Sequence, residues 1–367
     1  RLACDLALHL RAKGHPVTIV TSAINPKTDT SKNLTVIRVE GDDKPNGAWA
    51  YFKILKRMER AAKKLPRHDI VISMTDPPML ATVGDRVARS MRSKHIHWAM
   101  DLYPDLLPVL GANIPAIIQK IIHYKIYNAV KKADALVPIS ECIAKHIAKN
   151  TTTKQSVTIE NWPERSLLKQ EECAPFFKDT DQKFRILYAG TIGLAHDFEA
   201  LLSAATYFKK HSPEIEFVFV GGGRGLSALE KKAKDRALFN IRFLSHQPTE
   251  KIKSMMEGGD LHLVTIKDRA AGLLYPSKFY SACAVGRPII YIGPKECEIH
   301  KNIQTHQCGA SIRTTDSQAL IKSITEYRNN AKMWNDHAQN AKTIIALSPN
   351  KNLKQWDDLI AHLNGVH

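Results

Sequence analysis

Gly272-Leu-Leu-Tyr-Pro-Ser-Lys278, continued by Phe279-Tyr-Ser-Ala-Cys-Ala-Val-Gly-Arg-Pro288 and Ile289-Ile-Tyr-Ile-Gly293, is the stretch whose reading decides the fold. It predicts a loop, then a short helix over 277–284, then a buried strand over 289–292. Gly286 and Pro288 close the helix and start the strand. The same alternation continues outward in both directions. Upstream, strands are predicted at 185–188, 215–220, 241–244 and 261–265, separated by helices at 197–210, 226–236 and 249–256. Downstream come helices at 296–304 and 316–346. The first half repeats the pattern. Strands at 16–21, 34–39, 70–73, 95–99, 135–139 and 157–159 alternate with helices at 1–13, 47–65, 79–92, 114–132 and 141–149. Strands separated by helices of this length form βαβ units with parallel sheets. Residues 163–183 are polar and mixed, with Pro163 and Pro175, and read as a linker.

The chain has 367 residues, more than one compact core holds. The expected fold class is therefore α/β, as two doubly wound domains over 1–165 and 183–347. A last helix lies within 348–367. Six cysteines form no CxxC pair, and no His/Cys cluster has zinc spacing, so a reducing cytoplasm is the simpler setting and no metal is expected. No signal peptide is visible and no apolar run approaches the roughly 18 residues of a membrane span. The net charge is +17 and evenly spread. Residues 1–181 hold 28 Lys and Arg against 19 Asp and Glu, and the rest hold 25 against 17. An even excess of this kind fits anionic substrates or an anionic membrane rather than a nucleic-acid tail.

Several stretches carry candidate chemistry. Pro276-Ser277-Lys278 places backbone N–H groups at a helix start beside a lysine, which suits a diphosphate. Tyr188-Ala-Gly-Thr-Ile-Gly-Leu-Ala-His-Asp197 follows a strand and opens a helix. Gly190 and Gly193 there let the backbone approach a ligand, or simply make a strand–helix turn. Val220-Gly-Gly-Gly-Arg-Gly225 fails the dinucleotide spacing, since Leu226 stands where the third glycine belongs. Gly222 and Gly223 are either near a nucleotide or part of a tight turn. Arg269, Ser281 and Lys267 flank the 272–278 loop. In the first half, Asp101 follows a strand end, where α/β sheets place reactive groups, or it caps a turn before Pro104. Ser140 reads first as a helix N-cap. Residues 53–67 contain seven Lys or Arg against one Glu, including Lys56, Arg57, Lys63 and Lys64. With the similar helix 114–132, they read as a basic amphipathic surface for anionic membrane, or as ordinary helices with solvated lysines.

The order Asp101-Leu-Tyr-Pro104, Ala189-Gly-Thr-Ile-Gly193, Gly221-Gly-Gly223 and Pro276-Ser-Lys278 with Ala284-Val-Gly-Arg-Pro288 runs through most of the chain. It resembles the retaining GT-B glycosyltransferases of the family 4 type, in the branch that builds bacterial surface polysaccharides. That resemblance implies two Rossmann-like domains facing across a cleft. The first domain would bind acceptor and the second a nucleotide-diphospho-sugar, and the last helix would cross back to the first domain. It implies transfer of a hexosyl or N-acetylhexosaminyl group, with retention and without metal or cofactor. The donor, with uridine as its base, and a lipid-linked saccharide would meet on the cytoplasmic face of the inner membrane. Donor contacts would fall on Gly190, Thr191, Gly193, Gly222, Gly223, Arg269, Ser277, Lys278 and Ser281, and catalytic roles on Asp101 and His196. The chain departs from the family pattern in three places. Thr191 and His196 stand where the family has Arg and Lys, and Leu273 and Ser281 where it has a glutamate pair. The chain also opens in a helix rather than with the family's first strand and glycine-rich loop. A nucleotide-sugar 2-epimerase of the same architecture, or a degenerate non-catalytic homologue, is the alternative.

Overall fold

The computed structural model describes residues 2–30, 34–41, 47–112, 114–168, 174–177, 182–346 and 348–365. It is α/β, as the alternation predicts. The first half carries β1 (Thr18–Ala23), β2 (Lys27–Asp29), β3 (Thr35–Glu40), β4 (Ile70–Ser73), β5 (Lys94–Ala99) and β6 (Ala135–Pro138). They form two three-stranded sheets, β1-β3-β2 and the all-parallel β4-β5-β6. The second half carries β7 (Phe184–Ala189), β8 (Ile215–Val220), β9 (Ile241–Leu244), β10 (Leu261–Thr265), β11 (Ile289–Ile292) and β12 (Gly309–Ile312). They make one parallel sheet, ordered β12-β11-β10-β7-β8-β9. The order reverses between β7 and β10. A doubly wound sheet opens a crevice beyond its strand C-termini at such a switch point.

Burial explains why these runs are strands. All of β10 and β11 is buried, as parallel strands covered on both faces must be. One core cluster runs through Trp98, Leu102 and Trp162 of the first half, Leu273, Tyr275 and Phe279 of the second, and Trp356 of the last helix. That helix, Ser348–Leu363, lies on the first half. Trp356 meets Trp98 edge-on at 4.9 Å, Asn352 Nδ2 donates to Glu160 O at 2.9 Å, and His9 Nε2 pairs with Asp357 at 2.8 Å.

Several predicted elements differ. Residues 157–159 run beside β6 without becoming a strand. Val157 N–H reaches Leu136 O and Ile159 N–H reaches Pro138 O, but Pro138 has no N–H with which to return a ladder bond. The helix predicted over 316–346 breaks at Asn330, whose side chain accepts from Met333 N–H at 2.9 Å and starts a new helix, Ala331–Ala346. The helix Tyr103–Val109 was hidden by its two prolines, β2 by its polar sequence, and β12 by a Gly-Ala-Ser-Ile run with little apolar signal. The predicted linker is partly pinned. Leu167 and Phe177 are buried against β7 and β8, and the Arg185 guanidinium lies 4.4 Å from the Phe177 ring centre. Among the described residues no helix is long and apolar enough to cross a membrane.

Candidate active site

Three loops meet at the switch point between β7 and β10. Beyond β7, Gly190 adopts φ +125°. Beyond β8, the 221–225 loop packs directly on it. Ile192 N–H donates to Gly222 O at 2.8 Å and Gly225 N–H to Ile192 O at 2.9 Å. A Cβ at Gly221 would collide with Gly190 O, and one at Gly223 with Ile192 O. The glycine run is thus needed for loop-on-loop packing, a role the sequence left level with nucleotide contact. Gly222 has no such collision.

Lys278 closes the third side. Its Nζ sits 4.8 Å from the Tyr188 ring centre and 3.5 Å from Thr191 O. A Cβ at Gly190 would come within 3.1 Å of its Cε. The Tyr188 hydroxyl donates to the same Thr191 oxygen at 2.8 Å and fixes the turn. Burial lowers the Lys278 pKa to about 8, so the ammonium is charged at neutral pH and poorly solvated. Backbone N–H groups of Thr191 and Gly193 meet no partner among the described residues. His196 completes the pocket. Its Nδ1 lies 2.6 Å from Thr265 O, which can only accept, so Nδ1 carries the hydrogen and Nε2 the lone pair. Burial first, and Lys278 second, hold His196 at a pKa of about 4. It is a neutral hydrogen-bond acceptor at pH 7 and cannot replace a missing cation. One ammonium with two unpaired amides is an arrangement able to hold an anion such as a diphosphate.

At Pro276-Ser277-Lys278 part of the helix start is already bonded. The helix Lys278–Ala284 has only seven residues, Phe279 N–H is taken by Pro276 O and Ser281 N–H by Ser277 O. The Lys278 side chain reaches the Gly190 loop. Ser281 Oγ turns to Ser277 O at 3.4 Å, within its own helix. Ser277 is exposed at the helix start. Arg269 is exposed on the one-turn helix Asp268–Ala270. Lys267 stands closer, since its N–H bonds Ala195 O at 2.9 Å and its charge acts on His196.

Asp101 lies in the other half, on the turn that follows β5. The next residue, Leu102, donates its N–H to Leu273 O at 2.8 Å, which joins the Asp-Leu-Tyr-Pro turn to the 272–278 loop. Asp101 N–H points to Thr75 Oγ1 at 3.3 Å. Burial, with a smaller push from the Asp76 charge, raises its pKa to about 6. Sequence reasoning missed Thr75 and Asp76 as neighbours of Asp101. The available signal was that β4 and β5 are consecutive parallel strands, whose C-terminal turns must lie side by side. His95 and His97 are structural. Ser73 Oγ bridges them at 2.8 and 2.9 Å, and burial lowers their pKa values to about 4 and 3. Ser140 caps the helix Glu141–Asn150 through Ile143 N–H.

The four basic residues singled out on helix Gly47–Lys63 are not equivalent. Arg57 is held by Glu40 at 2.6 Å and Lys63 by Glu59 at 2.7 Å. Lys56 lies over Phe52 at 4.9 Å, and Lys64 is exposed. The unexpected feature is apolar. Trp49 and Phe52 on this helix, and Ile117, Ile118, Ile121 and Tyr124 on helix Ala116–Lys132, are all exposed. Both helices pack on Leu80–Met91.

Residues 170–344 match the family described as Glycosyl transferases group 1, and residues 1–162 match Glycosyltransferase Family 4. The probable glycosyltransferase WbjE of Pseudomonas aeruginosa is 25% identical over 266 residues, which is 71% of this chain and 66% of that protein. The putative colanic acid biosynthesis glycosyl transferase WcaI of Escherichia coli K12 is 31% identical over 147 residues, or 40% of this chain and 36% of the other. Each alignment thus spans less than two thirds of the relative's length. Among solved structures, Anabaena Alr3699/HepE in complex with UDP and glucose shares the fold, with a TM-score of 0.72 at 13% identity over 98% of this chain and 95% of that one.

Proposed function

This chain belongs to the group 1 glycosyl transferases, and we propose that it moves a sugar from a UDP-linked donor to a lipid-linked saccharide during bacterial surface-polysaccharide synthesis. The observation that carries the reading is the Lys278 ammonium, set at the sheet switch point beside the free amides of Thr191 and Gly193. These groups would hold the diphosphate as the bond from sugar C1 to phosphate oxygen breaks, where negative charge develops. The acceptor hydroxyl attacks the same face of the sugar, so configuration is retained, and no metal takes part. Uridine is favoured because the similarly folded HepE was solved with UDP. The colanic-acid role in WcaI's name supports an envelope saccharide as acceptor.

The exposed Ile117, Ile118, Ile121 and Tyr124, with Lys120 and Lys125 on the same helix, would rest on the anionic inner membrane beside Trp49 and Phe52. The test is transfer of radiolabel from UDP-glucose or UDP-N-acetylglucosamine into lipid extracted from bacterial membranes. Label should enter the organic phase, with an α-linked product, and should survive EDTA. Label that stays in the aqueous phase with every UDP-sugar would overturn the proposal. Activity lost in EDTA and restored by magnesium would remove its metal-free mechanism.

A further inference from the structure

Two cysteines from opposite halves meet beside the 272–278 loop. Cys142 stands in the first turn of the helix Glu141–Asn150, and Cys297 just ahead of the helix Glu298–His306. The two helix starts are joined directly. Glu141 N–H donates to Glu298 Oε2 at 2.9 Å, and the Cys142 thiol donates to Glu296 O at 3.6 Å. That oxygen belongs to the peptide bond that enters Cys297. Planar peptide geometry sets it about 2.8 Å from the Cys297 Cα, so Cys142 Sγ lies within about 6.5 Å of that Cα. The Glu298 N–H, on the far side of Cys297, also faces the Cys142 sulfur. Gly272 touches both residues. A Cβ there would come 3.9 Å from the Cys142 Cβ, and its N–H faces the Cys297 sulfur. Cys142 is half-buried and Cys297 is enclosed. The other described cysteines are placed differently, with Cys4 exposed on the first helix and Cys283 and Cys308 both buried in the second half.

We propose that Cys142 and Cys297 form a redox-sensitive lock, in which a hydroperoxide joins them as a disulfide and ties the two halves together beside the loop that carries Lys278. With hydrogen peroxide, the more accessible Cys142 thiolate takes one peroxide oxygen to become a sulfenic acid. The other oxygen leaves as hydroxide and picks up the thiol's proton as water. The Cys297 sulfur then attacks the sulfenic sulfur, whose hydroxyl leaves with the Cys297 proton as a second water. Where thiols are kept reduced, a disulfide of this kind is transient and senses oxidant. Burial, and the Glu298 charge after it, raise the Cys142 thiol above its ordinary range, and burial raises Cys297. Both are therefore protonated at neutral pH, and the lock closes faster as pH rises. The proposal rests on the contact between the halves and is independent of the transferase reading.

The test treats the full, reduced chain with hydrogen peroxide at pH 7 and pH 9, then digests the monomer without reductant for peptide mass spectrometry. The Cys142 and Cys297 peptides should appear joined, lighter by two hydrogen atoms, sooner at pH 9, and should separate in dithiothreitol. The oxidised chain should also unfold at higher urea than the reduced one, because the link closes a loop of about 155 residues in the unfolded chain. Cys142→Ser should unfold with the reduced wild type and show neither the joined peptide nor the peroxide-induced shift. The wild-type peptides decide the matter even if that variant folds poorly. Cys142 and Cys297 recovered only on separate peptides, oxidised or not, would overturn the proposal. A joined peptide with no rise in the urea midpoint would equally overturn the lock.

Discussion

Asp101 shows how a site residue works against stability. Its pKa in the fold is about 6, above the ordinary value of 3.8. A raised carboxylate pKa stabilises the fold fully below the unfolded value and loses that contribution as pH rises through the folded one. Between pH 4 and 6 the ionised group therefore becomes a burden. We expect Asp101→Asn to match the wild type at pH 4 and to be more stable by about 1–3 kcal/mol at pH 7.5. Thermal unfolding at the two pH values checks this, and equal melting shifts at both would contradict it. Legibility at this scale was uneven. Pro276-Ser-Lys278 marked Lys278 because a proline-led turn before a helix is local information. Asp76 left no such mark, because its role comes from a neighbouring strand end. His196 was legible as a site residue but not as a neutral one, since its tautomer is set by a carbonyl 69 positions away.

At the scale of elements, the parallel strands β7, β8, β10 and β11 were readable because burial on both faces leaves continuous apolar runs. The 157–159 segment misled for the opposite reason. Its β-branched residues look like a strand, but the proline in its neighbour stops the ladder. The basic helices also had to be reweighed. Charge alone pointed to Lys56, Arg57, Lys63 and Lys64, yet two of these are engaged by glutamates on the protein itself. The exposed isoleucines of Ala116–Lys132 were not visible in the sequence, because the pattern does not say which face meets the sheet. We expect Ile117→Ser with Ile121→Ser to reduce sedimentation with vesicles containing anionic lipid at least fivefold, and Arg57→Glu to change it little. Equal sedimentation of the double variant and the wild type would leave that helix as an ordinary surface.

At the scale of the molecule, two α/β halves are fastened by a small number of identifiable links. The last helix brings Trp356 against Trp98, which itself stacks on Trp162. Glu298 Oε2 accepts from Glu141 N–H at 2.9 Å, and the Leu102–Leu273 bond joins the Asp101-Leu-Tyr-Pro104 turn to the 272–278 loop. The alternation of helix and strand was enough to read this architecture, but not the links, which are long-range. They bring the Lys278 side of the second half and the Asp101 turn of the first half into one folded unit. The account depends on the first of these holding a diphosphate. Calorimetric titration with UDP, at pH 7 and again at pH 9, for the wild type and for Lys278→Ala, tests it most directly. UDP should bind the wild type at pH 7, weaken as the Lys278 ammonium loses its proton above pH 8, and bind Lys278→Ala at least tenfold more weakly at pH 7. Wild-type affinity retained by Lys278→Ala, with the same pH dependence, would contradict the assignment.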